Sequence, residues 1–204
     1  MSINVKNTKN KFSFTGDILG EENFKKECFK CEFYSFGTSK IFEKRVDKYG
    51  CRLKAITFLG LLSPVLLGGF VASFSVESAL LKNSLLPVCG SLTIFQAILS
   101  LLSLVCRWDE TYSYAIGSVR NNTMLMNDFS RLKNTNAKVN SKRFQLLTGD
   151  YDRQNNADIG QNISTKEMRY AMRQSLFQYK SECRTCGIKP ISLKPSKCDT
   201  CGNF

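Results

Sequence analysis

The sequence predicts an all-α membrane protein, a two-helix transmembrane hairpin with helical extensions on one side of the bilayer and a compact cysteine-rich module at its C-terminal end. Three observations carry this prediction. Two long uncharged apolar runs lie side by side in the middle of the 204-residue chain, both flanks are polar and basic, and four cysteines in two matching pairs close the sequence. Flanks this polar bury only small cores, so the apolar block does not read as the interior of an ordinary soluble domain.

Residues 1–20 read as a flexible N-terminus. The first fifty residues hold no apolar segment of the signal-peptide kind, which places the nine cysteines in a reducing, cytosolic setting where thiols stay free for metal. Residues 21–54 read as a cytoplasmic helix with Phe24, Cys28 and Cys31 on one face. Cys28 and Cys31 have CxxC spacing, so a metal or redox role has to be weighed. No Gly follows either of them, and at i and i+3 on a helix two small buried thiols are the simpler account.

The hairpin occupies residues 55–106. Its first run, 55–76, is bracketed by Lys54 and Glu77, and its second, 83–106, by Lys82 and Arg107. Each is long enough to cross a hydrocarbon layer of ~30 Å as a helix. Trp108 then stands where an interfacial anchor belongs. Lys40, Lys44, Arg45, Lys48, Arg52 and Lys54 precede the first run and Arg107 and Arg120 follow the second, whereas the connecting ESALLK has one Lys and one Glu. By the positive-inside rule both termini are cytoplasmic.

Within the second run Cys89, Thr93, Gln96, Ser100 and Ser103 step by four and three and so share a helical face. Gly60, Pro64, Gly68 and Gly69 in the first run permit close approach of the two helices. The polar face admits two readings, an interhelical contact within the hairpin or the lining of a water-filled path between assembled hairpins.

Residues 107–133 read as a cytoplasmic amphipathic helix that continues the second span. Trp108, Tyr112, Ala115, Val119, Asn122, Met126 and Phe129 form a coiled-coil-like seam, to be buried against the N-terminal helix or against a second subunit of a homo-oligomer. Residues 134–163, rich in Asn, Asp, Lys and Gln, read as a polar connector; Asp150, Asp152 and Asp158 lack calcium-loop spacing and read as solvated. Ser164 and Glu167 have capping-box spacing and start a helix over 164–182.

The most specific signal is the tail, 183–204. It reads CRTCG, eleven residues, then CDTCG, so that Cys183, Cys186, Cys198 and Cys201 form two near-identical knuckles, each followed by Gly. Two such turns bring four thiolates to one ion and close its tetrahedral shell, which predicts a structural zinc held in a small zinc ribbon, with no open position for substrate. Arg184, Lys189, Lys194 and Lys197 make this ribbon basic and are candidate anion contacts, for nucleic acid, a polyanionic nucleotide or lipid headgroups, although no aromatic residue interleaves them.

The formal charge of +12 points to an anionic partner, and its spread over both flanks favours a bilayer surface over a single nucleic-acid groove. The absence of histidine removes Ser-His and Cys-His catalysis, and no phosphate-binding Gly-rich loop is present, so no enzyme is expected.

The segments SFGTSKIFEKR and KEMRYAMRQSLFQY, the apolar hairpin and the four terminal cysteines together resemble the SLATT group of bacterial two-transmembrane proteins, and more narrowly a mobile-element subfamily defined by a CxxC, eleven-residue, CxxC tail. The resemblance covers most of the chain from about Glu21. It implies residence in the bacterial inner membrane and a role as an anti-phage or conflict effector that oligomerises on activation and permeabilises the membrane, with a cytoplasmic sensor or signal-producing partner. An adaptor that recruits protein or nucleic acid through the ribbon is the alternative.

Overall fold

The structure, a computed structural model, describes residues 20–73, 83–84, 86–135 and 137–204. The turn expected over 77–82, and the N-terminal segment apart from Gly20, lie outside the described residues. Five helices make up the described chain: α1 (Glu21–Ser73), α2 (Leu86–Val105), α3 (Trp108–Lys133), α4 (Ala137–Ile159) and α5 (Thr165–Gln178).

The helix expected over 21–54 and the apolar run that follows it are one continuous helix as far as Ser73. Glu21 and Glu22 sit in its first turn, where the helix dipole favours anions, and pair one turn on with Lys25 and Lys26. The chain returns antiparallel along α1. Gln96 meets Gly60, Tyr112 meets Gly50, and the Phe42 and Tyr114 rings lie 5.7 Å apart.

α2 is long and apolar enough to cross a membrane. Pro87 falls in its first turn, where no intrahelical amide bond is lost. Ile94, Leu101, Leu104 and Val105 on α2, and Phe58, Leu61 and Val65 on α1, are exposed. Each such side chain left in water forgoes roughly 1.5–3 kcal/mol of burial.

The expected continuous helix from the second span into residues 107–133 is broken. The amides of Cys106 and Arg107 close α2 on the carbonyls of Leu102 and Leu104, Arg107 turns to φ 51°, and the Thr111 amide opens α3 on the Arg107 carbonyl. The break falls where apolar sequence gives way to polar.

On α3 the buried stripe is Ala115, Ser118, Asn122, Leu125, Phe129 and Leu132. It shares Ala115, Asn122 and Phe129 with the expected seam and buries within the chain. At one end Leu125, Phe129 and Leu132 pack with Phe24, Cys28 and Cys31 of α1. A Lys133–Glu32 ion pair at 2.7 Å closes this end.

The polar connector expected over 134–163 is instead largely the helix α4. Phe144, Leu147 and Tyr151 on one face complete the apolar cluster, and the carboxylate of Asp158 is fully buried rather than solvated. α5 starts as expected. Ser164 and Glu167 make the reciprocal capping box, and the helix ends at Gln178, before residue 182, with Lys180 at φ 50° turning the chain toward the cysteines.

Candidate metal centre and the surfaces around it

The segment 183–204 folds without a strand among its described residues, so the expected ribbon is a pair of knuckles and no β-hairpin. The two knuckles repeat one turn. The Gly187 amide donates to the Cys183 carbonyl at 2.8 Å and the Gly202 amide to the Cys198 carbonyl at 2.9 Å. Their glycines answer different needs. Gly187 sits at φ 68°, a left-handed conformation that disfavours side chains, whereas a Cβ on Gly202 would fall 2.1 Å from the Ser196 carbonyl oxygen.

These turns bring the sulfurs of Cys183, Cys186, Cys198 and Cys201 within 4.8 Å of one another. Cys183 Sγ lies 4.0 Å from Cys198 Sγ, and Cys186 Sγ lies 3.8 Å from Cys201 Sγ. Four thiolates bound at ~2.3 Å around one tetrahedral ion stand about 3.8 Å apart, so the cage already has the size of a metal-thiolate shell.

Its electrostatics call for a cation. The amides of Thr200 and Cys201 draw the Cys198 thiol down to about 7. Burial raises Cys183, but the amides of Cys186 and Thr185 outweigh it and the net shift is downward. Cys201, buried and facing the other sulfurs, is pushed up to about 12. Binding a metal ion would take the protons from these thiols and hold together four negative sulfurs that would otherwise repel, and a closed thiolate shell fits a structural rather than a catalytic ion.

α5 carries the cage. Arg169 and Arg173, one turn apart, face it together: Arg169 Nε donates to the Asp199 carbonyl at 2.7 Å and Arg173 Nε to the Ser192 carbonyl at 3.0 Å. The buried Arg173 guanidinium also comes within 4.0 Å of Cys201 Sγ, where it would offset the charge of a metal-bound thiolate. Leu176, Met172 and Phe33 pack under Cys183 and Cys201, and the Tyr170 and Phe204 rings meet edge to face. The sequence reading missed Arg173; its i, i+4 spacing from Arg169 on a helix leading into the knuckles was the available signal.

Cys28 and Cys31 are no part of this centre. Both are buried in the α1–α3–α4 core, and burial pushes them up to about 11 and about 12. They pack within the core, where burial disfavours the thiolate that metal binding and oxidation need.

The expected polar face of α2 divides. Cys89 is buried, Gln96 and Ser103 are half-buried, and Thr93 and Ser100 are exposed, with the Thr93 hydroxyl donating to the Cys89 carbonyl at 2.8 Å. A Cβ on Gly60 would lie 2.7 Å from Gln96 Nε2, so the amide of Gln96 rests on bare α1 backbone. The four basic residues of the tail, Arg184, Lys189, Lys194 and Lys197, are all exposed, on the module but outside the cage.

A family model described as "Mobilome CxxCx(11)CxxC protein" matches residues 25–204. No curated protein and no solved structure matches the chain.

Proposed function

Since the chain belongs to the mobilome CxxCx(11)CxxC family, we propose that it is a non-enzymatic membrane effector of a bacterial anti-phage or conflict system. Residues 55–76 and 83–106 form a two-span hairpin in the inner membrane, both termini are cytoplasmic, and the Cys183–Cys186–Cys198–Cys201 cage holds zinc. On activation by a cytoplasmic partner the hairpins assemble and permeabilise the membrane, as the resemblance to SLATT proteins implies.

The observation that carries this reading is the change in surface along the bundle. Beyond Lys54 on α1 and before Arg107 on α2, large apolar side chains such as Phe58, Leu61, Ile94 and Leu104 face outward, whereas α3, α4 and α5 surround the other half of α1 with a charged exterior. A bilayer covers the first surface and water the second.

The alternative, a membrane-anchored adaptor that recruits protein or nucleic acid through the zinc module, draws on a specific contact. Gln96 is turned onto Gly60 inside the pair, so a conducting path lined by this face requires the hairpin to rearrange. Recording membrane potential with a voltage-sensitive dye after induction separates the two. Depolarisation by the wild type that is lost in Gln96→Leu and Cys198→Ser supports the effector; a steady potential at equal membrane abundance supports the adaptor or an effector silent without its activating partner.

A further inference from the structure

A cavity of about 850 Å³ opens where the polar body meets the apolar helices, between α1, the α2–α3 break and the α4–α5 turn. Its size suits a small organic ligand. Four basic side chains, Lys44, Arg45, Lys48 and Arg107, and two carboxylates, Glu110 and Glu167, line it.

The carboxylates are already engaged. Glu167 takes both arms of Arg45, at 2.7 and 2.9 Å, while the remaining guanidinium contacts go to the Gln161 and Asn162 carbonyls, at 2.9 and 3.3 Å. Glu110 pairs with Arg107. Lys44 and Lys48 have no carboxylate partner among the described residues; their ammonium groups lie over the rings of Tyr170, at 4.6 Å, and Tyr49, at 5.6 Å.

The start of α3 also lines the cavity. Arg107 caps the helix from a left-handed conformation without a side-chain hydrogen bond, and Arg107, Glu110 and Thr111 face the cavity. A concave wall with two lysines that pair with no carboxylate among the described residues and the start of a helix suits an anion with several oxygens.

We propose that this cavity binds a phosphate group, with Lys44 and Lys48 as its principal contacts. Arg45 is a positioning residue that holds the α4–α5 turn as the far wall. The cavity lies beside Cys106, where the apolar helix ends, so the phosphate of an anionic lipid headgroup can reach it directly. A soluble phosphate compound offers the same chemistry. The site itself stands on residues of the polar body; the lipid source alone rests on the membrane placement proposed above.

The test uses the full chain in nanodiscs of phosphatidylcholine, with either phosphatidylglycerol in the bilayer or inorganic pyrophosphate in solution as the probe. Binding is read from the fluorescence of Trp108, the single tryptophan, which adjoins the cavity-lining Arg107. Expected is a saturable change with one of the probes that weakens about thirtyfold in Lys44→Gln/Lys48→Gln, two surface cations contributing ~1 kcal/mol each. Binding should be unchanged in Lys142→Gln/Arg143→Gln, which removes equal charge from exposed positions on α4.

Saturation by phosphatidylglycerol assigns a lipid headgroup, and saturation by pyrophosphate alone assigns a soluble phosphate compound. The second outcome would leave the site standing with a soluble ligand, and whether the chain reconstitutes into the nanodiscs tests the membrane reading apart from it. No saturable response to either probe, or equal weakening in the two double variants, would overturn the proposal.

Discussion

Asp158 Oδ2 accepts a hydrogen bond from Asn122 Nδ2 at 2.7 Å in the buried seam between α3 and α4. The other oxygen accepts from Ser118 at 2.7 Å, Tyr114 at 2.8 Å and Gln154 at 2.9 Å. One carboxylate thus satisfies donors on two helices and fixes the register of α4, which has few apolar anchors.

Asp158→Ala strands the Asn122 and Ser118 donors in the seam. Each buried donor left unpaired costs ~1–3 kcal/mol, so the variant should lose about 3 kcal/mol of stability. Hydrogen exchange should show α4 opening ahead of α3; uniform protection in both helices would show that the network does not hold α4.

The Arg45–Glu167 pair sets an acid limit. Burial by itself would raise the Glu167 carboxyl, but the Arg45 hydrogen bonds, the Ser164 amide and hydroxyl and the Arg45 charge hold it at about 2 against an ordinary 4.5. A depressed carboxylate stabilises the fold above its unfolded-state value and loses that contribution as pH falls through the folded value. Thermal melts should therefore decline between pH 4.5 and about 2, and Glu167→Gln should flatten that decline while lowering stability at neutral pH by roughly 1 kcal/mol.

Metal content should be one ion per chain, with all four tail thiols protected. Cobalt exchange should give the intense thiolate charge-transfer bands of a tetrahedral four-sulfur site. Chelation should release the tail from α5, read as exposure of Tyr170 and Phe204, and leave the α1–α3–α4 core folded. Unchanged tail contacts after complete metal loss would show that the cage folds without an ion.

Alkylation separates the remaining cysteines. Cys28 and Cys31, buried and pushed up to about 11 and about 12, should resist iodoacetamide at neutral pH in the native chain, and the exposed Cys106 should react when detergent replaces lipid. Peptide mass spectrometry checks this directly. Reaction at Cys31 before denaturation would place it outside the core.

The parts legible in the sequence were those with local causes. The capping box at Ser164 and Glu167, the repeated knuckle, the heptad positions Ala115, Asn122 and Phe129, and the shared helical face of Cys28 and Cys31 each show in the spacing of residues within a few turns. α4 was not legible because its composition is that of a solvated segment. It is held by Phe144, Leu147 and Tyr151 against a distant core and by Asp158, whose partners on α3 lie 36 to 44 positions away. The break at Arg107 and the cavity beside it were likewise invisible, since neither a left-handed turn at arginine nor the meeting of three helices leaves a local pattern.

The central claim is that the chain crosses the bilayer twice with the zinc module inside the cell. Its most direct test is Glu77→Cys, between the two apolar runs of the sequence, treated with a membrane-impermeant maleimide on intact spheroplasts. The account predicts labelling at position 77 from outside, and labelling of Cys51, beside the polar body, only after the membrane is opened. Labelling of Cys51 in intact spheroplasts, or a chain that alkaline carbonate strips from the membrane, would contradict it.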